Sequence, residues 1–112
     1  MFGRKEDNKI IKVADEEFKN IIALFKRKSQ SYGSDADVFF NFRMTALRLF
    51  GNDSYDSMFK VAEVYKDKHN VALSKGIHVP EVAERLRDNI VYSLIQLAMI
   101  EESEEMNNEC ED

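Results

Sequence analysis

Helix-breaking residues are scarce in this chain, and their positions constrain the fold more than any other feature. The 112 residues include one proline and four glycines. Gly33, Gly51, Gly76 and Pro80 separate stretches in which apolar side chains recur at helical spacing. So few breakers fit long helices better than a turn-rich β-sandwich. The sequence therefore predicts an all-α protein, folded as one domain that resembles a four-helix bundle.

The boundaries of the four helices follow from capping residues and from the ends of each apolar pattern. The predicted helices run from Asp15 to just before Ser29, from Val38 (capped by Asp37) to about Phe50, from a cap among Asn52, Asp53 and Ser54 to about Lys75, and from Pro80 to about Ile100. The second helix is apolar around most of its circumference, which is typical of a central helix or of an oligomer interface. We therefore expect a homo-oligomer, most simply a dimer through helices 2 or 4.

Charge divides the chain into three predicted parts: an N-terminal arm (1–14), a helical domain (15–100) and an acidic tail (101–112). Within the arm, residues 8–13 could form a short strand or lead directly into the first helix. The tail has seven acids and no base. Because like charges repel and no apolar periodicity holds this segment, we expect the tail to be disordered. The rest of the chain holds all 16 lysines and arginines and is close to neutral.

Several classes of protein are disfavoured by what the sequence lacks. No apolar run approaches the roughly 18–20 residues of a membrane span, and the N-terminus has no apolar stretch of a signal peptide. A single cysteine, Cys110, cannot close an intrachain disulfide, which fits a reducing compartment. We therefore expect a cytoplasmic protein with no membrane partner. The one dense basic run, 26–28, suits the end of a helix, so nucleic acid is disfavoured as a partner.

The motif VAExxxD occurs twice, once in the third predicted helix and once in the fourth. In each copy two acids stand four residues apart on one helical face, where like charges repel. The acids are Glu63 with Asp67 and Glu84 with Asp88. A Mg²⁺ ion with phosphate oxygens would reverse that repulsion, so the four carboxylates are candidate metal ligands. The alternative is a solvated face on which nearby lysines and arginines neutralise the acids.

Arg43 and Arg87 interrupt apolar faces of their helices. A guanidinium in such a position pairs with a carboxylate or a phosphate. The two arginines could therefore bind a phosphorylated ligand or pair with Glu84 or Asp88. His69 lies on the core side of the third helix, where a hydrogen-bonded core histidine is the default interpretation. No catalytic residue is assigned, because the chain has no serine–histidine–aspartate order, glycine-rich phosphate loop or cysteine pair.

Three short stretches together resemble a known group of proteins: Lys26–Gly33, Asp67–Asn70 and Glu84–Tyr92, in that order. This pattern is similar to small phage and prophage proteins of the nucleotide-modification-associated and MazG-like kind, over roughly residues 18–100. The resemblance implies an all-α fold. It also implies Mg²⁺-dependent hydrolysis of nucleoside triphosphates to monophosphate and pyrophosphate.

The resemblance also implies roles for particular residues. Glu63 and Asp67 stand where the family's first acidic motif, EExxE, would lie, and Glu84 and Asp88 stand at the second motif, ExxD. Lys68, together with Arg43 and Arg87, would bind the nucleotide. This chain departs from the family in having two acids in the first motif and ExxxD spacing in the second.

Two functions follow as expectations. The first is a nucleotide-binding all-α protein of phage origin, with a pyrophosphohydrolase-like activity if Mg²⁺ is held. The alternative is a non-enzymatic interaction protein encoded by a phage, which would inhibit a host defence or sequester a signalling nucleotide. The partners expected are therefore a nucleotide or other small phosphorylated ligand, further copies of the chain and, in the alternative, a host protein.

Overall fold

The computed structural model describes residues 4–32 and 37–111. Within those ranges the chain forms four helices and no strand. They are α1 (Arg4–Tyr32), α2 (Phe40–Phe50), α3 (Tyr55–Leu73) and α4 (Val82–Glu111). The predicted all-α, bundle-like fold is confirmed. None of the described helices combines the length and the apolar character needed to cross a bilayer.

Helix α1 is longer than predicted at both ends. It begins at Arg4, so residues 8–13 are helical and do not form a strand, and it continues to Tyr32, past the predicted end before Ser29. No glycine or proline lies between these ends, and lysine and glutamate favour helix without needing a core to face. Residues 1–3 of the predicted arm lie outside the described part of the chain.

Helix α4 also differs from its predicted bounds. It begins at Val82, because Glu81 takes a left-handed backbone angle (φ 59°) and so leaves Pro80 in the connection before the helix. At its other end the helix continues past Ile100 to Glu111. The acidic segment predicted as a disordered tail is therefore an extension of α4 up to that residue. It contains no helix breaker, and its described side chains are mostly exposed. The side chain of Cys110, and Asp112, lie outside what the structure describes.

Two of the residues predicted to end or cap α2 and α3 have the predicted role. Gly51 ends α2 in a left-handed conformation (φ 77°), which glycine adopts without strain. Of the three candidate caps for α3, Ser54 does the capping, and its side chain accepts a hydrogen bond from the backbone N–H of Ser57. Helix α2 begins at Phe40, two residues later than predicted, so Asp37 is not its N-cap; its carboxylate accepts a hydrogen bond from the backbone N–H of Phe39 (3.0 Å) in the turn before the helix.

The core lies mainly between α2, α3 and α4. Its largest fully buried side chains are Phe42, Met58, Met99, Val61 and Val91. From α1, Ile21 and Leu24 are the buried apolar side chains among those described. Helix α1 is parallel to α4, because Glu17 pairs with Arg87 near the start of the contact and Phe25 and Ala98 border the same groove further along. The three-helix core is thus the rigid frame on which a site can be built.

Candidate ligand cleft between three helices

A cleft with a volume of about 420 Å³ opens on the surface where α2, α3 and α4 meet. Small-molecule sites typically have volumes of about 300–1,000 Å³, so the cleft can hold a small ligand. Its lining residues are Asn41, Met44, Thr45, Val64, Tyr65, Lys68 and Tyr92. The lining combines aromatic surface, an amide, hydroxyl groups and one ammonium, and it contains no carboxylate.

Packed aromatic rings fix one wall of the cleft. The ring centroid of Tyr65 lies 5.6 Å from that of Phe42 and 5.8 Å from that of Tyr92, both in tilted arrangements. Phe42 is fully buried, so this cluster is anchored in the core. The hydroxyl groups of Thr45 and Tyr65 are 3.2 Å apart and share a hydrogen bond. The aromatic wall is therefore held in place by α2 and α4 without any ligand.

Lys68 supplies the positive charge of the cleft. It follows Val64 and Tyr65 by one turn of α3, so the spacing of the helix brings all three side chains to the same opening. The residue is exposed. An ammonium group at the mouth of an aromatic cleft can bind a phosphate as a point charge while the rest of the ligand lies against the rings.

The two acids of the first predicted pair, Glu63 and Asp67, have different surroundings on α3. One carboxylate oxygen of Glu63 accepts hydrogen bonds from Nζ of Lys66 (3.2 Å) and from the side-chain amide of Gln96 (2.7 Å). These bonds, that of Gln96 above all, hold the pKa of Glu63 below its ordinary value. Asp67 is exposed on the same helix. Gln96 is a buried residue of α4 that the sequence analysis did not single out.

The second predicted pair is divided between the core and the surface. Asp88 is 8% exposed, whereas Glu84 is exposed. Oδ2 of Asp88 lies 3.4 Å from Nε2 of His69, and Nη1 of Arg85 lies 3.5 Å from Nδ1 of the same ring. Because a guanidinium can only donate, Nδ1 is the acceptor and the Nε2 proton faces Asp88. His69 is thus a hydrogen-bonded core histidine, as predicted.

The structure does not bring the four carboxylates together. Among the residues it describes, no group of three or more histidine, cysteine, aspartate or glutamate side chains is close enough to hold a metal ion. Two of the four, Glu63 and Asp88, are engaged by other side chains of the fold. The described residues therefore do not fit a single Mg²⁺ site built from both motifs.

The two arginines predicted to bind a nucleotide form ion pairs with carboxylates of the fold. Arg87 donates from Nε and Nη2 to both carboxylate oxygens of Glu17 (2.6 and 2.9 Å), which joins α4 to α1. Arg43 donates to Asp37 (2.7 Å) and Asp53 (3.2 Å), which flank α2 on either side. These bonds lower the pKa of Glu17 and of Asp37 and raise the pKa of both arginines.

Pairing of these guanidinium groups with carboxylates was one of the expected outcomes, but Glu84 and Asp88 are not the carboxylates involved.

Of the three cations predicted to bind a nucleotide, Lys68 is the one that lines the cleft. The residues that complete the cleft were visible in the sequence only in part. Asn41 and Thr45 interrupt the apolar pattern of the second helix, yet nothing in that pattern relates them to Tyr65 or Tyr92.

No protein-family model, curated protein or solved structure matches this chain.

Proposed function

We propose that this chain is a nucleotide-binding all-α protein, and that the cleft between α2, α3 and α4 takes a nucleotide or another small phosphorylated ligand. The observation that carries the proposal is the position of Lys68 at the opening of a cleft walled by Tyr65 and Tyr92. A cation next to a fixed aromatic surface suits a ligand that has a phosphate at one end and a flat ring at the other.

The other lining groups fit the same ligand class. The amide of Asn41 can donate and accept hydrogen bonds, and the hydroxyl of Thr45 can do the same, as the edge of a base or the hydroxyls of a sugar require. Met44 and Val64 add apolar surface that adapts to the face of a ring. The resemblance to nucleotide-modification-associated and MazG-like proteins supports a nucleotide over other phosphorylated ligands.

The cleft favours binding over hydrolysis. Its lining holds no carboxylate that could bind a metal or act as a general base, and Glu63 and Asp88 are engaged by Gln96 and His69. We therefore propose a protein that sequesters its ligand and derive no hydrolytic step. Binding of Mg²⁺ stays a prediction. If the ion accompanies the nucleotide, phosphate oxygens of the nucleotide would supply most of the atoms that coordinate it.

The test is isothermal titration calorimetry of the full chain with nucleoside mono-, di- and triphosphates and cyclic dinucleotides, each with and without Mg²⁺. We expect at least one of them to bind, and Lys68→Met to weaken that binding about tenfold or more, since a hydrogen bond to a charged group contributes roughly 1.5–3 kcal/mol. The matched control is Lys60→Met on the same helix, because Lys60 pairs with Asp56 (3.0 Å) outside the cleft.

Two results would contradict the proposal: no binding across the panel, or equal binding by the Lys68→Met and Lys60→Met variants. Chromatography of the triphosphate samples separates binding from turnover. Conversion of a triphosphate to monophosphate and pyrophosphate would contradict sequestration and support the pyrophosphohydrolase activity that the resemblance implies.

A further inference from the structure

An apolar groove of about 350 Å³ lies between α1, α4 and the turn that precedes α2. Buried Phe39 and Ile95 form its floor, and its rims carry exposed apolar side chains, among them Ile22, Val38 and Leu94. The groove shares no lining residue with the ligand cleft. Apolar surface of this kind marks an interaction site.

The apolar surface continues along α1 beyond the groove. Ile11, Phe18 and Phe25 are seven residues apart and so lie along one side of the helix, a spacing typical of a helix that packs lengthwise on another. Ile11 is 59% exposed and Phe18 is 63% exposed. On α4 the exposed side chains Ile90, Leu94 and Leu97 form a second apolar stripe, of which Leu94 lies in the groove.

The first half of α1 receives little support from the rest of the chain. Every side chain from residue 8 to residue 16 is exposed, whereas Glu17 is half-buried and pairs with Arg87 of α4. An isolated helical segment shorter than about 12–15 residues is marginally stable in water. Residues 8–16 are continuous with the packed half of the 29-residue helix, so a partner surface would add stability to a segment that receives little from the rest of the chain.

The distribution of charge indicates which partner fits. Residues 8–14 carry Lys9 and Lys12 and no acid, whereas the chain after Ile100 carries seven acids and no base. Because α1 and α4 are parallel, residues 8–14 extend from one end of the contact between the two helices, and the acidic segment after Ile100 extends from the other end. Lys12 stands ten residues before Ile22, and Glu104 stands ten residues after Leu94. At about 1.5 Å per residue, each is roughly 15 Å from the groove, in opposite directions.

We propose that the groove is occupied by a second copy of this chain, antiparallel to the first across a two-fold axis at the level of Ile22 and Leu94. A two-fold axis places the same patch on both copies, so the apolar stripes of α1 and α4 meet their equivalents. The same operation sets Lys9 and Lys12 of each copy beside the acidic end of α4 in the other. The interface thus uses α1 and α4, whereas the sequence predicted helices 2 or 4.

The test is the mass of the full chain in solution, measured by multi-angle light scattering and sedimentation equilibrium. We expect twice the monomer mass of 13.0 kDa for the natural sequence. Ile22→Asp, at a side chain that is 50% exposed, should give a monomer with an unchanged circular dichroism spectrum. The control Val71→Asp, at a side chain 66% exposed on α3, should stay dimeric.

Charge reversal tests the antiparallel arrangement without touching the groove. Lys9→Glu with Lys12→Glu, and separately Glu104→Lys with Glu105→Lys, should each weaken dimerisation about tenfold, since several exposed pairs turn from attraction to repulsion. The combination of all four should restore the affinity to within about threefold of the natural chain. A monomeric natural chain, a dimeric Ile22→Asp variant, or a combined variant weaker than either double variant would overturn the proposal.

Discussion

Helices α2 and α3 and the first half of α1 show the same helical periodicity in sequence but have very different surroundings in the fold. Phe42, Met58 and Val61 are fully buried, whereas Ile11 and Phe18 are largely exposed although their spacing is equally regular. An apolar pattern thus predicts that a helix forms and which of its faces is apolar. It does not predict whether the partner of that face is in the same chain.

The difference has an energetic consequence. Burying one large apolar side chain contributes roughly 1.5–3 kcal/mol, and the core between α2, α3 and α4 buries many of them. Helix α1 is held by Ile21, Leu24 and the ion pair of Glu17 with Arg87. In a single copy we therefore expect α1 to detach from the core at a lower free energy than the core needs to unfold.

The largest effect is expected in the core. Phe42→Ala should lower the free energy of unfolding by about 3–5 kcal/mol, because it leaves a cavity among fully buried side chains and removes a ring that supports the ligand cleft. Leu24→Ala in α1 should cost less, since the helix can shift to close the gap. Urea denaturation measures both. Equal losses would mean that α1 belongs to the core as firmly as α2 does.

An intermediate effect is expected at the buried pair. Asp88→Ala should lower the free energy of unfolding by about 1–3 kcal/mol, because it leaves the ring N–H of His69 without this acceptor in a buried position. The exposed Glu84→Ala on the same helix should stay within about 0.5 kcal/mol of the natural chain. A metal-binding carboxylate would behave differently: Asp88→Ala would leave stability unchanged and abolish a Mg²⁺-dependent thermal shift with nucleotides.

The smallest effect is expected where α1 meets α4. Arg87 holds the pKa of Glu17 below its ordinary value of 4.5, so the stabilisation from this pair is present above that pH and is lost as the pH falls through the lowered pKa. Glu17→Gln should lower the melting temperature slightly at neutral pH and reduce its decline in acid. Glu16→Gln, at an exposed neighbour, should change neither. Identical acid profiles for the natural chain and Glu17→Gln would show that the pair does not hold α1.

Local chemistry explains which parts of the fold could be predicted. Gly51 and Ser54 were identified as a helix stop and as one of three candidate caps, because their roles depend on neighbouring backbone atoms. The outer ends of α1 and α4 were missed for the opposite reason. Both are rich in charge and lie outside the apolar patterns from which the four helices were predicted, yet they lack breakers and contain good helix formers.

Pairings between distant parts of the chain could not be predicted. The sequence predicts that Arg87 needs an anionic partner, but Glu17 is 70 residues away and its pairing depends on how α1 packs on α4. In the cleft, too, a single residue could be predicted from the sequence but its neighbours from other helices could not. Lys68 was predicted from the sequence to bind a ligand, whereas Tyr65 and Tyr92 become a wall beside it only through the packing of α3 on α4.

The contrast between a core that is buried within one copy and an α1 that we propose to pack on a second copy is tested most directly by hydrogen–deuterium exchange at two protein concentrations, one below and one above the expected dimer dissociation constant. The account predicts that the backbone amides of residues 8–16 exchange quickly in the dilute sample and become protected in the concentrated one. The amides of residues 58–66 in α3 should be equally protected in both. Protection of residues 8–16 that does not change with concentration would contradict the account.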